Sequence, residues 1–129
     1  MASTVTNRSR SGTDHFEPQD IDPQAQRRLR GHLEQIDYAA YASNQAVIGQ
    51  ALGGIDIGQF QRMAIAAAQA RTRWVETALM LTERSAAPEP DQVTELAQLR
   101  AAYDEIAAAY DAMRRMVERG YLTYRPTKA

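Results

Sequence analysis

The sequence predicts an all-α protein: an up-down-up bundle of three long helices, with a polar N-terminal arm and a short extended C-terminal arm. Three observations predict it. The 129 residues include 23 Ala and 14 Arg, and both types are strong helix formers. Gly and Pro number 7 and 5, and most sit at the ends of Ala-rich segments, where they punctuate helices. Apolar residues recur three and four positions apart in three successive segments, which is the helical period.

Residues 1–20 (MASTVTNRSRSGTDHFEPQD) form the expected arm. They are rich in Ser, Thr, Asn and Arg and lack apolar periodicity, so they bury too little surface to fold alone. The bundle is expected over 21–120 and the C-terminal arm over 121–129.

The first helix should start at Asp22-Pro23, a capping residue followed by a proline that suits the first helical position. Leu29, Leu33, Ile36, Ala40, Val47 and Ala51 make one apolar stripe. Tyr38, Tyr41, Ile48 and Leu52 make a second. Gly53-Gly54 ends the helix, because glycine accepts the left-handed terminal geometry. Gly31 and Gly49 lie inside it and mark a close contact or a bend.

The second helix has the clearest start. Asp56 with Gln59 matches a capping box, and Ile55 with Phe60 a hydrophobic staple. Its stripe runs Phe60, Met63, Ala67, Ala70, Trp74, Ala78 and Leu81. The small centre, residues 64–68, permits close approach of a neighbouring helix. Pro88 and Pro90 oppose continuation.

The third helix begins near Asp91. Leu96, Leu99, Tyr103, Ile106, Tyr110, Met113 and Val117 form a heptad seam over three repeats. Acids lie at its start, and Arg114, Arg115 and Arg119 at its end, matching the helix dipole. Gly120 should cap it, with Tyr121 folding back on Met116 in a Schellman ending. Each helix spans about 45 Å at 1.5 Å per residue. Tyr121-Leu122-Thr123-Tyr124 has strand propensity, but no second strand is evident for it to join. It is expected to pack along the bundle or to dock on a partner.

Composition removes many chemistries. The formal net charge is -1, so a basic face like those that dominate nucleic-acid binding is not expected. Cysteine is absent and the histidines are His15 and His32. Disulfides, thiolate metal sites and multi-histidine sites within one chain are therefore excluded. No Glu-x-x-His occurs, so Glu34, Asp37, Glu76, Glu83, Asp104 and Asp111 are read as solvent-facing charges rather than di-metal ligands. Nor does any Gly-x-Ser-x-Gly elbow occur. Gly53-Gly54…Gly58 lacks the strand and the Gly-Lys-Ser/Thr of a phosphate loop and reads as a helix–helix turn. His32 is expected on the surface rather than as a phosphate acceptor. No catalytic residue, cofactor or metal is expected. Neither an apolar membrane span nor a secretory leader is expected, so the expected setting is the cytoplasm or a particle assembled there.

Two residue sets remain as candidates. Tyr38, Tyr41, Tyr103, Tyr110, Tyr121 and Tyr124 outnumber two Phe. Tyr103 and Tyr110 fill seam positions where Leu would serve a dry core, and tyrosine suits bundle rims and protein interfaces. Arg62, Arg71 and Arg73 with Trp74 form the basic–aromatic stretch, a candidate polyanion contact. On a helix, though, Trp74 falls in the apolar stripe and is expected to pack in the core. The leading expectation is a non-enzymatic structural or adaptor subunit. It would bind protein partners or copies of itself, as a homo-oligomer or within a larger assembly. Small helical virion components of the head–tail type share this architecture. A helical chaperone for a secreted or assembling partner is one alternative. A small nucleic-acid- or ligand-binding regulator using the Arg–Trp set is the other.

Overall fold

Helix boundaries fall where orphan backbone groups can be satisfied. In the computed structural model, residues 22–84 and 87–127 are described. The expected arm over 1–20 lies outside them. The described chain forms α1 (Pro23–Leu52), β1 (Gly54–Asp56), α2 (Ile57–Arg84), α3 (Pro90–Glu118) and β2 (Thr123–Arg125). It is an all-α helical bundle carrying one small strand pair, and none of its described helices is long and apolar enough to cross a membrane.

The expected caps at Gly53, Asp56 and Gly120 are present. Gly53 sits at φ 66°, and its N–H donates to the Gly49 carbonyl at 2.8 Å. At the start of α2 the Gln59 N–H donates to Asp56 Oδ1 at 3.0 Å, and the Asp56 N–H donates to Gln59 Oε1 at 2.8 Å. That exchange is the capping box. The start of α3 lies one residue before the expected Asp91, with Glu89 at the cap and its N–H donating to Gln92 Oε1 at 2.8 Å. At its end Gly120 has φ 79°. Its N–H donates to Val117 at 3.0 Å and the Tyr121 N–H to Met116 at 2.8 Å, the two bonds of a Schellman motif.

That motif turns the chain back, and here the structure corrects the sequence reading. The aromatic tail does find a strand partner: β2 pairs in parallel with β1, Gly54 opposite Thr123, Ile55 opposite Tyr124 and Asp56 opposite Arg125. The physical reason is that a cap residue holds an extended backbone. The residues that start α2 therefore also present a strand edge. Parallel strands need a long crossover, and the α2–α3 pair supplies it.

The chain divides between Tyr41 and Ala42 into two units. The described part of the first is the N-terminal stretch of α1. In the second, α2 and α3 pack side by side and antiparallel, with Phe60 against Tyr110 and Trp74 against Tyr103. All seven heptad positions of α3 are half-buried, and so are Phe60, Met63, Ala67 and Trp74 of α2, with Ala70 and Leu81 fully buried. Ala70 at the centre of the seam lets the helices approach closely. At one end Ile55 within β1 (4% exposed) and Leu122 just before β2 (6% exposed) are buried. The end of α1 belongs to this unit too. Gln45 Nε2 donates to the Gly120 carbonyl at 3.3 Å. A side chain at Gly49 would meet the Tyr121 carbonyl at 3.9 Å, so of the two helix-interior glycines Gly49 is the one at a contact.

Trp74 packs on the seam against Tyr103, as its stripe implies, and is half-buried like the heptad positions of α3 rather than enclosed.

Candidate interaction surfaces

The six tyrosines divide between the two units. Tyr38 and Tyr41 lie exposed on α1, Tyr38 at 70%. Tyr121 sits half-buried at the Schellman turn. Tyr103, Tyr110 and Tyr124 join Phe60 and Trp74 along the α2–α3 seam. Trp74 stacks on Tyr103 with centroids 6.2 Å apart and planes 20° apart. Phe60 meets Tyr110 edge-on at 5.6 Å and Tyr124 at 6.0 Å. These are favourable aromatic geometries.

The arginines also part company. Arg71 Nη2 donates to the Tyr103 hydroxyl, and its guanidinium lies 4.8 Å from the centroid of that ring. Arg71 is thereby drawn onto the seam. Arg62 and Arg73 are exposed. At about 100° per residue they share a stripe of α2, whereas Arg71 projects about 180° from Arg62. Arg73 lies beside Glu76 on the outer face. The three arginines thus do not converge on a single anion. A second cation–aromatic contact places Arg100 5.9 Å from the Trp74 ring, and Arg100 Nε also lies 3.6 Å from Asp104.

Two grooves flank Tyr110. One, of about 310 Å³, is floored by Ala64, Ala67, Ala68 and Ala107, with Arg71, Tyr103 and Asp111 at its rim. It exists because alanines on both helices leave the tyrosine rings standing proud. The other, of about 340 Å³, lies between Ile57, Phe60, Val117 and Tyr124, with Arg114 and Glu118 alongside. Neither holds a cluster of titratable groups suited to acid–base work. Among the described residues no group of three or more His, Asp or Glu is placed to hold a metal ion. His32 and the six carboxylates singled out from the sequence are exposed.

One surface escaped the sequence reading. Ile65, Ala68, Thr72, Val75 and Leu79 are spaced 3, 4, 3 and 4 along a face of α2 beside and opposite its seam stripe, with Ala68 also lining the groove next to Tyr103 and Tyr110. Ile65, Val75 and Leu79 are 57%, 46% and 60% exposed. The polar Thr72, whose hydroxyl bonds back to the Ala68 carbonyl at 2.8 Å, interrupts the stripe and hides it in the sequence. Counting every apolar residue of the segment against a heptad would have found it. On α1 the expected stripe is present and bare: Leu29, Leu33 and Ile36 are 50–61% exposed, and no residue of α1 is buried.

No known family, curated protein or solved structure matches the chain.

Proposed function

We propose that the chain is a non-enzymatic structural or adaptor subunit, acting through protein–protein contacts in a larger assembly. The observation that carries this reading is the pair of heptad-spaced apolar stripes, on α1 and on the outer face of α2, that stand open to solvent. Single exposed apolar residues are ordinary, but contiguous stripes mark interaction sites. Heptad spacing specifies the partner geometry further, since it suits a helix laid alongside at a shallow angle.

The test is a triple variant, Ile65→Gln, Val75→Gln and Leu79→Gln, compared with the unaltered chain. Both are tagged and purified from the native cell at native abundance. The reading expects a stoichiometric protein partner, or a defined oligomer, with the unaltered chain. The variant should lose it while keeping its circular dichroism. If the unaltered chain purifies alone as a monomer, the reading is wrong. If the variant keeps every partner, the outer stripe of α2 is not a contact surface.

A further inference from the structure

We infer that α1 pairs with α1 of a second copy of this chain, antiparallel, through Leu29, Leu33, Ile36 and Ala40. This deepens the proposed function by naming the occupant of one of its two surfaces. The four residues are spaced 4, 3 and 4, so they form a heptad seam in which Leu29 and Ile36 take one core position and Leu33 and Ala40 the other. All four are exposed.

The charges beside the seam select the partner. In this register Arg30 and Asp37 fall on the same flank, one heptad apart. The rise of 1.5 Å per residue separates their backbones by about 10.5 Å along the axis, too far for an ion pair within the helix. Neither has an ion-pair partner among the described residues. In an antiparallel pair, core layers join unlike seam positions. Leu33 faces Ile36 of the partner subunit, and Leu29 faces Ala40 of the partner subunit. The flanking residues then meet across the interface in like positions, and that register sets Arg30 against Asp37 of the partner subunit. Two-fold symmetry repeats the pair, so one helix carries both halves of its own complement, as an isologous contact requires. The layers agree as well, because each large side chain at the ends meets a small one. A parallel pair would instead stack Ala40 on its own copy and leave a gap there. It would also bring the basic run Arg27, Arg28 and Arg30 alongside itself.

The chain has no cysteine, so crosslinking reads the register directly. Full-length Leu33→Cys and full-length Ile36→Cys proteins are mixed under mild oxidation. The mixed disulfide between position 33 and position 36 should dominate over either homodisulfide. Sedimentation equilibrium of cysteine-free proteins supplies the second readout. Arg30→Asp alone and Asp37→Arg alone should each weaken dimerisation by about tenfold, since each turns two flanking attractions into repulsions. The double swap should restore it. Predominant homodisulfides, a monomer at every concentration, or a double swap as weak as the singles would each overturn the inference. A monomer at every concentration also bears on the proposed function, whereas homodisulfides or a failed double swap in a chain that still associates overturn this inference alone.

Discussion

Replacing Trp74 with alanine probes the α2–α3 seam at its largest side chain. A fully buried Trp lost to alanine costs about 3–5 kcal/mol. Here the indole is half-buried, so the burial part falls to about 2 kcal/mol. Its stacking on Tyr103 at 6.2 Å adds about 0.5–1.5 kcal/mol. Arg100, 5.9 Å from the ring, adds about 0.5 kcal/mol at an exposed site. These contributions overlap, and the expected loss is about 2–3 kcal/mol. Urea unfolding followed by far-ultraviolet circular dichroism measures it without relying on the lost fluorophore. Protein concentration must be held fixed, because association shifts apparent stability. A cycle with Tyr103→Ala should return a coupling of about 0.5–1.5 kcal/mol. A loss below about 1 kcal/mol with no coupling would refute the seam register that sets these rings together. A loss near 5 kcal/mol would refute the half-buried position.

Two further substitutions test the other end of the helix pair. Leu122→Ala should cost about 2–4 kcal/mol in the same assay, because this 6%-exposed side chain sits beside the paired strands; a cost under about 1 kcal/mol would show that the tail is dispensable to the fold. Asp56→Ala removes the acceptor that Gln59 N–H uses at 3.0 Å and should cost about 1–2 kcal/mol, with Asp56→Ser recovering most of it.

Much of the helical architecture was legible in the sequence because caps and heptads are local signals. Asp56 with Gln59 and Gly120 with Tyr121 each specify their hydrogen bonds within five residues, and both sets are found. The seam Leu96 to Val117 predicted its own burial position by position. The strand pair was hidden because it joins residues 69 apart, Gly54 to Thr123. Its first strand is also three residues long and doubles as a helix start. Trp74 was placed on the right face, but periodicity tells which face a residue is on, not how deeply it is buried there. The arginine set looked like one patch because 71 and 73 are close in sequence, whereas the helical period separates them around the axis. The outer stripe of α2 was overlooked because Thr72 breaks it chemically without breaking its spacing.

The residues that hold the fold and those we propose as partner contacts are different sets. Ile55, Leu81, Leu122, Ala70 and the capped termini secure the α2–α3 unit, while Leu29, Leu33, Ile36, Ile65, Val75 and Leu79 lie outside that buried set. An Ala-rich seam buries little apolar area per layer, so this unit has modest hydrophobic stabilisation of its own. Under the proposed function, partner binding would add to stability by mass action, by the logarithm of partner concentration over its dissociation constant. Substitutions on the open stripes should leave the monomer's helices intact and remove the concentration dependence of unfolding. Substitutions in the seam should lower stability at every concentration alike. That separation is what a subunit needs if it must stay folded before assembly and be strengthened by it.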